Sequence, residues 1–489
     1  MTFERYSRRE FLGVAALAGA ALTVPGCVGA RIARRTGRRS KPNFILILTD
    51  DQGYNDLGCF GSKLINTPNI DRMAAEGVKL TSFYTGAPIC GPSRAALLTG
   101  CYSQRVDEVG RAKHFHTILH GREITIAEVL KKAGYVTKAI GKWHVAGSGR
   151  LAVVRDEASG GYRVLNPSLM PPAQGFDSYF GIPYSNDMDP SVLMRDYDVV
   201  EAPVNQVGLT TRYTDEALRF IRANKDRPFF LYLAHNMPHT PLYPSKKFEG
   251  KSAYGLYGDC VEEIDWNVGR ILQALKELEI DEDTFVVYTS DNGPWIEGPE
   301  RRPDNRTSRL QSGTAKPLRG YKMTTWDGGV RVPCIVRFPG KVPAGRVIDE
   351  IATAMDFMPT FARLAGTHEP QDRIIDGKDI MPLLTGKQAT SPHEAYYFYK
   401  YTHLHGVRSG HWKLVLPRPA RPKDLEWYAR LQEEVKEITL YNLRDDIGER
   451  RNVADQHPEV VARLMKLVEK ARADLGDRFH RGKGSRFSR

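Results

Sequence analysis

The chain has 489 residues and six cysteines, but no C-x-x-C pair. That removes zinc-ribbon and thioredoxin-type readings. Past Val24 no apolar run is long enough to span a bilayer. Internal repeats and low-complexity tracts are also missing. A charge excess in the body of the chain is missing too, although the net charge is +12. Residues 1–41 hold nine Arg/Lys against Glu4 and Glu10, residues 478–489 hold five with no acid, and everything between sums to zero. Blocks of like charge at chain ends read as solvated tails, so no nucleic-acid partner is expected. Composition is globular, with 41% hydrophobic and 26% charged residues, enough apolar mass for a large core.

The first segment reads as an address. Ser7-Arg8-Arg9-Glu10-Phe11-Leu12 precedes an apolar stretch over residues 13–24 and resembles a twin-arginine export signal. Val24-Pro25-Gly26-Cys27 is similar to a lipoprotein cleavage box, with Cys27 as the lipid-bearing residue, although Pro25 departs from the small or branched residue usual there. The resemblance implies the twin-arginine translocase as a partner and a periplasmic or envelope location. Cys59, Cys101, Cys260 and Cys334 are either buried thiols or two bridges.

From Asn43 onward, strand and helix patterns alternate. The continuous apolar run over residues 44–48 reads as a buried parallel strand, and residues 135–140, 229–234 and 285–289 read as further buried strands. Residues 70–76, 124–132, 213–223 and 261–278 read as helices between them. This predicts an α/β fold, a large mostly parallel sheet sandwiched by helices, with ligands beyond the carboxyl ends of the strands. A smaller C-terminal α+β subdomain follows. It has an aromatic strand over residues 395–401, a hairpin over 407–416 and an amphipathic helix over 458–475. The aromatics of that strand either lie near a sugar or pack the small sheet. The expected division is 1–41 signal and basic tether, 42–388 catalytic domain, and 389–489 C-terminal subdomain.

Three groups of residues carry chemistry. The first is Cys90-Gly91-Pro92-Ser93-Arg94-Ala95-Ala96-Leu97-Leu98-Thr99-Gly100, a loop entering a helix whose start offers N–H groups to an anion. Arg94 adds a permanent planar cation. The second is Asp50-Asp51 and Asp291-Asn292, each just after an apolar strand. These are oxygen ligands only, suited to a hard cation such as calcium and not to zinc. The third is a set of cations: Lys142 and His144 in Gly141-Lys142-Trp143-His144, His239 in Pro238-His239-Thr240-Pro241, and Lys322 in Gly320-Tyr321-Lys322. Positive groups suit a reaction whose negative charge is spread over several oxygens. His235, Lys316 and His403 read as structural or surface groups.

These segments together resemble the type I, formylglycine-dependent sulfatases (arylsulfatase-like and N-acetylgalactosamine-6-sulfatase-like members of the alkaline phosphatase superfamily). The likeness extends from Asn43 to about Asp477 and includes Gln174-Gly175-Phe176-Asp177 and Leu440-Tyr441-Asn442-Leu443. It implies that a formylglycine-generating enzyme oxidises Cys90 to formylglycine (3-oxoalanine). It also implies one calcium ion held by Asp50, Asp51, Asp291, Asn292 and the oxygen at position 90. The hydrated aldehyde would then attack sulfur as a gem-diol. By the same resemblance Lys142, His239 and Lys322 bind sulfate oxygens, His239 or Lys322 protonates the leaving alcohol, and His144 takes a proton from the second hydroxyl. The expected substrate is a sulfated carbohydrate. Two rivals are a phosphate or phosphonate ester hydrolase of the same superfamily and a non-enzymatic exported binding lipoprotein on this fold. The chain departs from the pattern in Val145-Ala146-Gly147 after His144, in extra residues over 149–168, and in Met323 where Gly is common. Which sugar, which linkage and endo or exo action are not legible. Replacing Arg8 and Arg9 by Lys is expected to block export, read by cell fractionation; undiminished export removes the twin-arginine reading.

Overall fold

The computed structural model describes residues 41–106, 118–147, 152–156, 158–295, 311–429, 431–478 and 480–486. The leader with Arg8, Arg9 and Cys27 lies outside the described residues. From Lys41 onward the described residues belong to one compact unit.

A ten-stranded sheet forms its centre. Five neighbouring strands run parallel, in the order Thr284–Ser290, Asn43–Thr49, Phe229–Ala234, Val136–Gly141 and Ser178–Gly181. Outer strands make the sheet mixed: Cys334–Arg337 and Leu193–Arg195 pair antiparallel with its flanks. The central strand shows why its sequence is apolar without alternation. Phe44, Leu46 and Leu48 enter one core and Ile45 and Ile47 the other, and all are fully buried. A strand covered on both faces has no polar side to show. Helices Cys90–Thr99, Ile126–Lys132 and Phe357–Leu364 cover one face, and Pro68–Ala75, Leu209–Asn224 and Leu256–Glu277 the other.

Two helices begin earlier than their apolar periodicity predicts, at Leu209 rather than Tyr213 and at Leu256 rather than Val261. Gly208 (φ 79°) and Gly255 (φ 74°) are the residues that turn the chain into them. The first turns after these glycines already bring Leu209, Tyr257 and Cys260 into the core. All five described cysteines are free, so the thiol alternative holds and the bridges do not. Burial pushes Cys101 up to about 11 and Cys59 up to about 12, which keeps both protonated and unreactive at neutral pH.

The second sheet is an antiparallel meander of Tyr396–Lys400, His403–Ser409, Trp412–Val415 and Thr439–Asn442, covered by helix Pro458–Asp474. Tyr396, Phe398 and Tyr399 are at most 2% exposed and pack this small core, so they do not face a sugar. A buried ion cluster ties it to the main body. Lys413 meets Asp327 at 2.9 Å and Glu449 at 2.6 Å, and Asp327 also accepts from Tyr84 Oη at 2.8 Å.

At one edge Glu216 gathers three cations: buried Lys138 at 2.8 Å, Arg195 at 2.9 Å and Arg219 at 2.5 Å. Burial opposes its charge, but these partners hold its carboxyl well below the usual range. Its contribution is therefore complete above the unfolded value of about 4.3 and is lost as pH falls toward the folded one. Glu216→Gln leaves Lys138 buried without its counter-ion, at a cost of about 3 kcal/mol. The difference in unfolding free energy from the parent should be present at pH 7 and shrink below about pH 4. A pH-independent difference would contradict this account.

Candidate active site

Parallel register assembles the site. Thr49 pairs with Ser290, Leu48 with Ala234, and Ala234 with Gly141. The residues just beyond these strands, Asp50-Asp51, Asp291-Asn292, Lys142 to His144 and His235 to His239, therefore leave the sheet at one edge. Gly141 (φ 99°) has Ala234 O where a Cβ would lie, at 1.9 Å, so only glycine allows the turn to Lys142. From the opposite side helix Cys90–Thr99 presents its first residue. The loop carrying Lys322 is pinned by two N–H donations, Lys322 to Pro294 O at 3.0 Å and Met323 to Pro88 O at 2.8 Å. One tie reaches the Asn292 loop and the other the Cys90 loop.

All ten expected site residues lie in the described, buried part of the chain. Cys90 Sγ is 3.3 Å from Asp50 Oδ1, 3.9 Å from Asp51 Oδ1 and 3.0 Å from Lys322 Nζ. Arg94 forks onto Asp291 Oδ2 through Nε and a terminal nitrogen, both at 2.8 Å, and donates to the Lys142 carbonyl at 2.8 Å. Lys142 Nζ contacts Asp50 Oδ2 and donates to Ser185 Oγ at 2.9 Å. Lys322 Nζ sits 2.6 Å from Asp51 Oδ1. Asn292 Nδ2 donates to that same oxygen at 2.7 Å, and His239 Nε2 stands 3.6 Å from Asp51 Oδ2. Three carboxylates (Asp50, Asp51, Asp291) thus face three cations (Arg94, Lys142, Lys322), almost without water.

Burial and these partners set the protonation states. Burial works against the charge on Asp50, but Lys142, then His239 and Arg94, hold its carboxyl well below the ordinary range. Asp291 is pushed up by burial and by Asp50 beside it. Lys142 and Lys322 are held above the usual lysine value because Asp50 and Asp51 outweigh burial. Burial, with Lys142 and Arg94 nearby, drives His144 far down, so it is neutral. Its buried Nδ1 has no hydrogen-bond partner. His239 is lowered by burial. Its Nδ1 meets Thr240 O at 2.5 Å, which can only accept, so Nε2 is the atom that exchanges a proton. Cys90 is raised well above the usual thiol by burial and by Asp50, which makes the thiol itself a poor nucleophile.

The oxygen donors of Asp50, Asp51 and Asn292 fit a hard divalent cation. Donor atoms of Asp50, Asp51, Cys90 and His239 lie within 4.8 Å of one another. Asn292 Oδ1 is buried with no hydrogen-bond partner, an arrangement that a cation would satisfy. Asp291 lies outside that close group; Arg94 takes its Oδ2, and its Oδ1 accepts from the Asp51 N–H at 3.2 Å.

Sequence reasoning missed Ser185, which fixes Lys142; a lone serine in a loop carries no spacing signal. It also missed the backbone. Asp51 (φ 61°), His144 (φ 51°) and Met323 (φ 66°) are left-handed, at about 1–2 kcal/mol each. The common glycine at position 323 is explained by this φ. Met323 is 2% exposed, and burying its side chain, about 1.5–3 kcal/mol, offsets the strain. The extra segment forms a hairpin, Val153–Arg155 with Tyr162–Val164. Tyr184 Oη accepts from the Ala152 and Val153 N–H groups at 2.9 Å, which anchors it next to Ser185.

The sulfatase family matches residues 42–367, and the N-sulphoglucosamine sulphohydrolase C-terminal family matches residues 321–474. The steryl-sulfatase of Mus musculus is 38% identical over 433 residues, covering 75% of this chain and 69% of that protein. The N-acetylgalactosamine-6-sulfatase of Homo sapiens is 39% identical over 385 residues, covering 73% and 68%. A solved structure from a Bacteroides thetaiotaomicron locus for glycosaminoglycan metabolism superposes with a TM-score of 0.77 at 30% identity, covering 88% of this chain and 99% of that one.

Arg94→Lys keeps the charge but not the fork. Each buried acceptor left unpaired costs about 1–3 kcal/mol, so the variant should melt earlier and lose turnover by about a hundredfold or more. Thermal denaturation and turnover on one sulfate ester check this; parental values for both would exclude the orienting role of Arg94.

Proposed function

The chain belongs to the sulfatase family and hydrolyses a sulfate ester, and we propose that it does so with a formylglycine made from Cys90 beside one calcium ion, on a sulfated carbohydrate. The observation that carries this is Cys90 itself. Its thiol is buried, held protonated, and wedged between Asp50, Asp51 and Lys322. A sulfur nucleophile gains nothing there, whereas an oxygen in its place would face the Lys322 ammonium and share a cation with the Asp50 and Asp51 carboxylates. Asp50, Asp51 and Asn292 would hold the calcium ion, and Asp291, paired with Arg94 here, would join them when it binds. When present, the hydrated aldehyde supplies an oxygen nucleophile for sulfur and the metal lowers that oxygen's pKa.

The remaining work belongs to side chains of the chain. Lys142 and Lys322 bind sulfate oxygens through Nζ, the two permanent cations nearest the nucleophile that end in freely rotating donors. Arg94 orients Asp291 and the start of the Cys90 helix. Lys322 Nζ, held protonated, or His239 Nε2 once it has itself taken up a proton, delivers a proton to the departing alcohol oxygen. Neutral His144 accepts a proton as the enzyme resets. Ser185 keeps Lys142 from collapsing entirely onto Asp50.

A carbohydrate is favoured by the likeness to a structure from a locus for glycosaminoglycan metabolism, and two of the relatives are named for an amino-sugar sulfate and a steryl sulfate. Asp187, exposed at the surface, is held below the usual carboxylate range by His239 and Lys142, and a carboxylate there can accept from sugar hydroxyl groups. Export through the twin-arginine route, suggested by Arg8 and Arg9, would let Cys90 be modified before a folded protein leaves the cytoplasm.

The test uses protein made with a formylglycine-generating enzyme. Mass spectrometry of the peptide carrying position 90 should show the aldehyde. Chelation should abolish sulfate release from sulfated saccharides, and calcium, not zinc, should restore it. Full activity with an intact thiol would overturn the nucleophile. Activity on aryl or steryl sulfates alone would overturn the substrate class and leave the reaction standing.

A further inference from the structure

The C-terminal sheet carries a second set of cations that shares no residue with the Cys90 site. A cavity of about 120 Å³ opens beside strand His403–Ser409, with His405, Arg418, Arg478 and Asp424 in its wall and prolines and leucines between them. It has room for several waters or a tetrahedral oxyanion.

Two buried side chains in the wall have polar atoms with no hydrogen-bond partner among the described residues. His405 is 3% exposed; its Nδ1 pairs with Thr325 Oγ1 at 2.8 Å, and its Nε2 has none. If the threonine hydroxyl donates, Nε2 carries the hydrogen. Arg418 is 8% exposed, and its Nε and one terminal nitrogen are buried without a hydrogen bond. Unmet buried donors of a charged group are costly, and native structures satisfy them with water or a ligand.

The acids near Arg418 are committed elsewhere. Glu433 takes Arg319 at 2.9 Å and Trp326 Nε1 at 3.0 Å. Glu449 takes Lys413 at 2.6 Å and the Asp327 N–H at 2.8 Å. In the cavity wall Asp477 is bound to Arg472 at 2.9 Å and to the Leu404 N–H at 3.0 Å. Asp424, half exposed, lies 3.3 Å from His403 Nε2. Behind the wall Lys400 is pressed down to about 7 by burial and by Arg418, and Arg418 itself is lowered to about 10, chiefly by burial. The cluster has a surplus of positive charge in an apolar setting, the environment in which an anion gains most.

We propose that this cavity is a second anion site, holding a small tetrahedral oxyanion such as sulfate between Arg418, His405 Nε2 and Arg478 at the exposed rim. The bound oxygens would give Arg418 and His405 the acceptors that the protein does not supply. Because His405 holds Thr325, three residues after Lys322, an anion there would also brace the loop that carries Lys322.

Inorganic sulfate titrated into the full chain by calorimetry tests this. The parent should show a binding event that is lost in Arg418→Gln and weakened about tenfold in Arg478→Gln, as expected for one charged hydrogen bond. Any binding at the Cys90 site should be unaffected by either change and so stays distinguishable. Arg418 also lies against Trp326, 5.2 Å from the ring centre, so its variant risks misfolding; the rim substitution Arg478→Gln then decides alone. If no sulfate-binding event responds to Arg478→Gln, the proposal is overturned.

Discussion

Taking three carboxylates and three cations out of water at one spot is the constraint around which the structure is arranged. Asp50, Arg94 and Lys142 have no accessible surface, and Asp51, Asp291 and Lys322 have almost none. Such a set is tolerable only if each charge has a partner in good geometry. Every pair found here comes from different segments: Arg94 with Asp291, Lys142 with Asp50, Lys322 with Asp51. The partners are brought together by sheet register, a helix start and a pinned loop, not by local sequence. A slip of one residue in the pairing of Asn43–Thr49 with Thr284–Ser290 would invert side-chain directions and strand all of them.

The same constraint explains the strain at Asp51, His144 and Met323, whose left-handed backbones aim residues that regular strands cannot. It also explains the depth of the attachment to the second sheet. Lys413, Asp327 and Glu449 are buried together, and Asp327 comes five residues after Lys322. The smaller sheet therefore acts as a wall that fixes the position of a lysine in the charge set. Glu449, raised to about 7 by burial despite Lys413, shows that this attachment is itself close to the limit of charge the interior accepts.

Much of this was legible in the sequence because the relevant signals are local. Buried strands advertise themselves by unbroken apolar runs, and the acids and cations of the site stand directly after such runs. The segment from Cys90 to Gly100 carries its own helix start. The C-terminal strand of aromatics was legible as a strand, but not whether its rings faced a ligand; only packing against helix Pro458–Asp474 decides that they are core. Two things had no local trace. Ser185 acts through a contact to Lys142, 43 residues away in the chain. His239 lies in the close donor group with Asp50, Asp51 and Cys90, while Asp291 is taken up by Arg94, and only the three-dimensional arrangement decides that.

The charge arithmetic of the site also bears on why this constellation suits sulfate transfer. Among the side chains, three negative and three positive charges cancel. A divalent cation on the oxygen donors would raise the total by two. A sulfate ester arrives with one negative charge and leaves as a sulfate ion with two. With that cation bound, a dry excess of positive charge would stabilise the end of the reaction more than its beginning, and the transition state would share part of that gain. Water would screen the difference away, so the burial that makes the charge set expensive is also what gives it leverage.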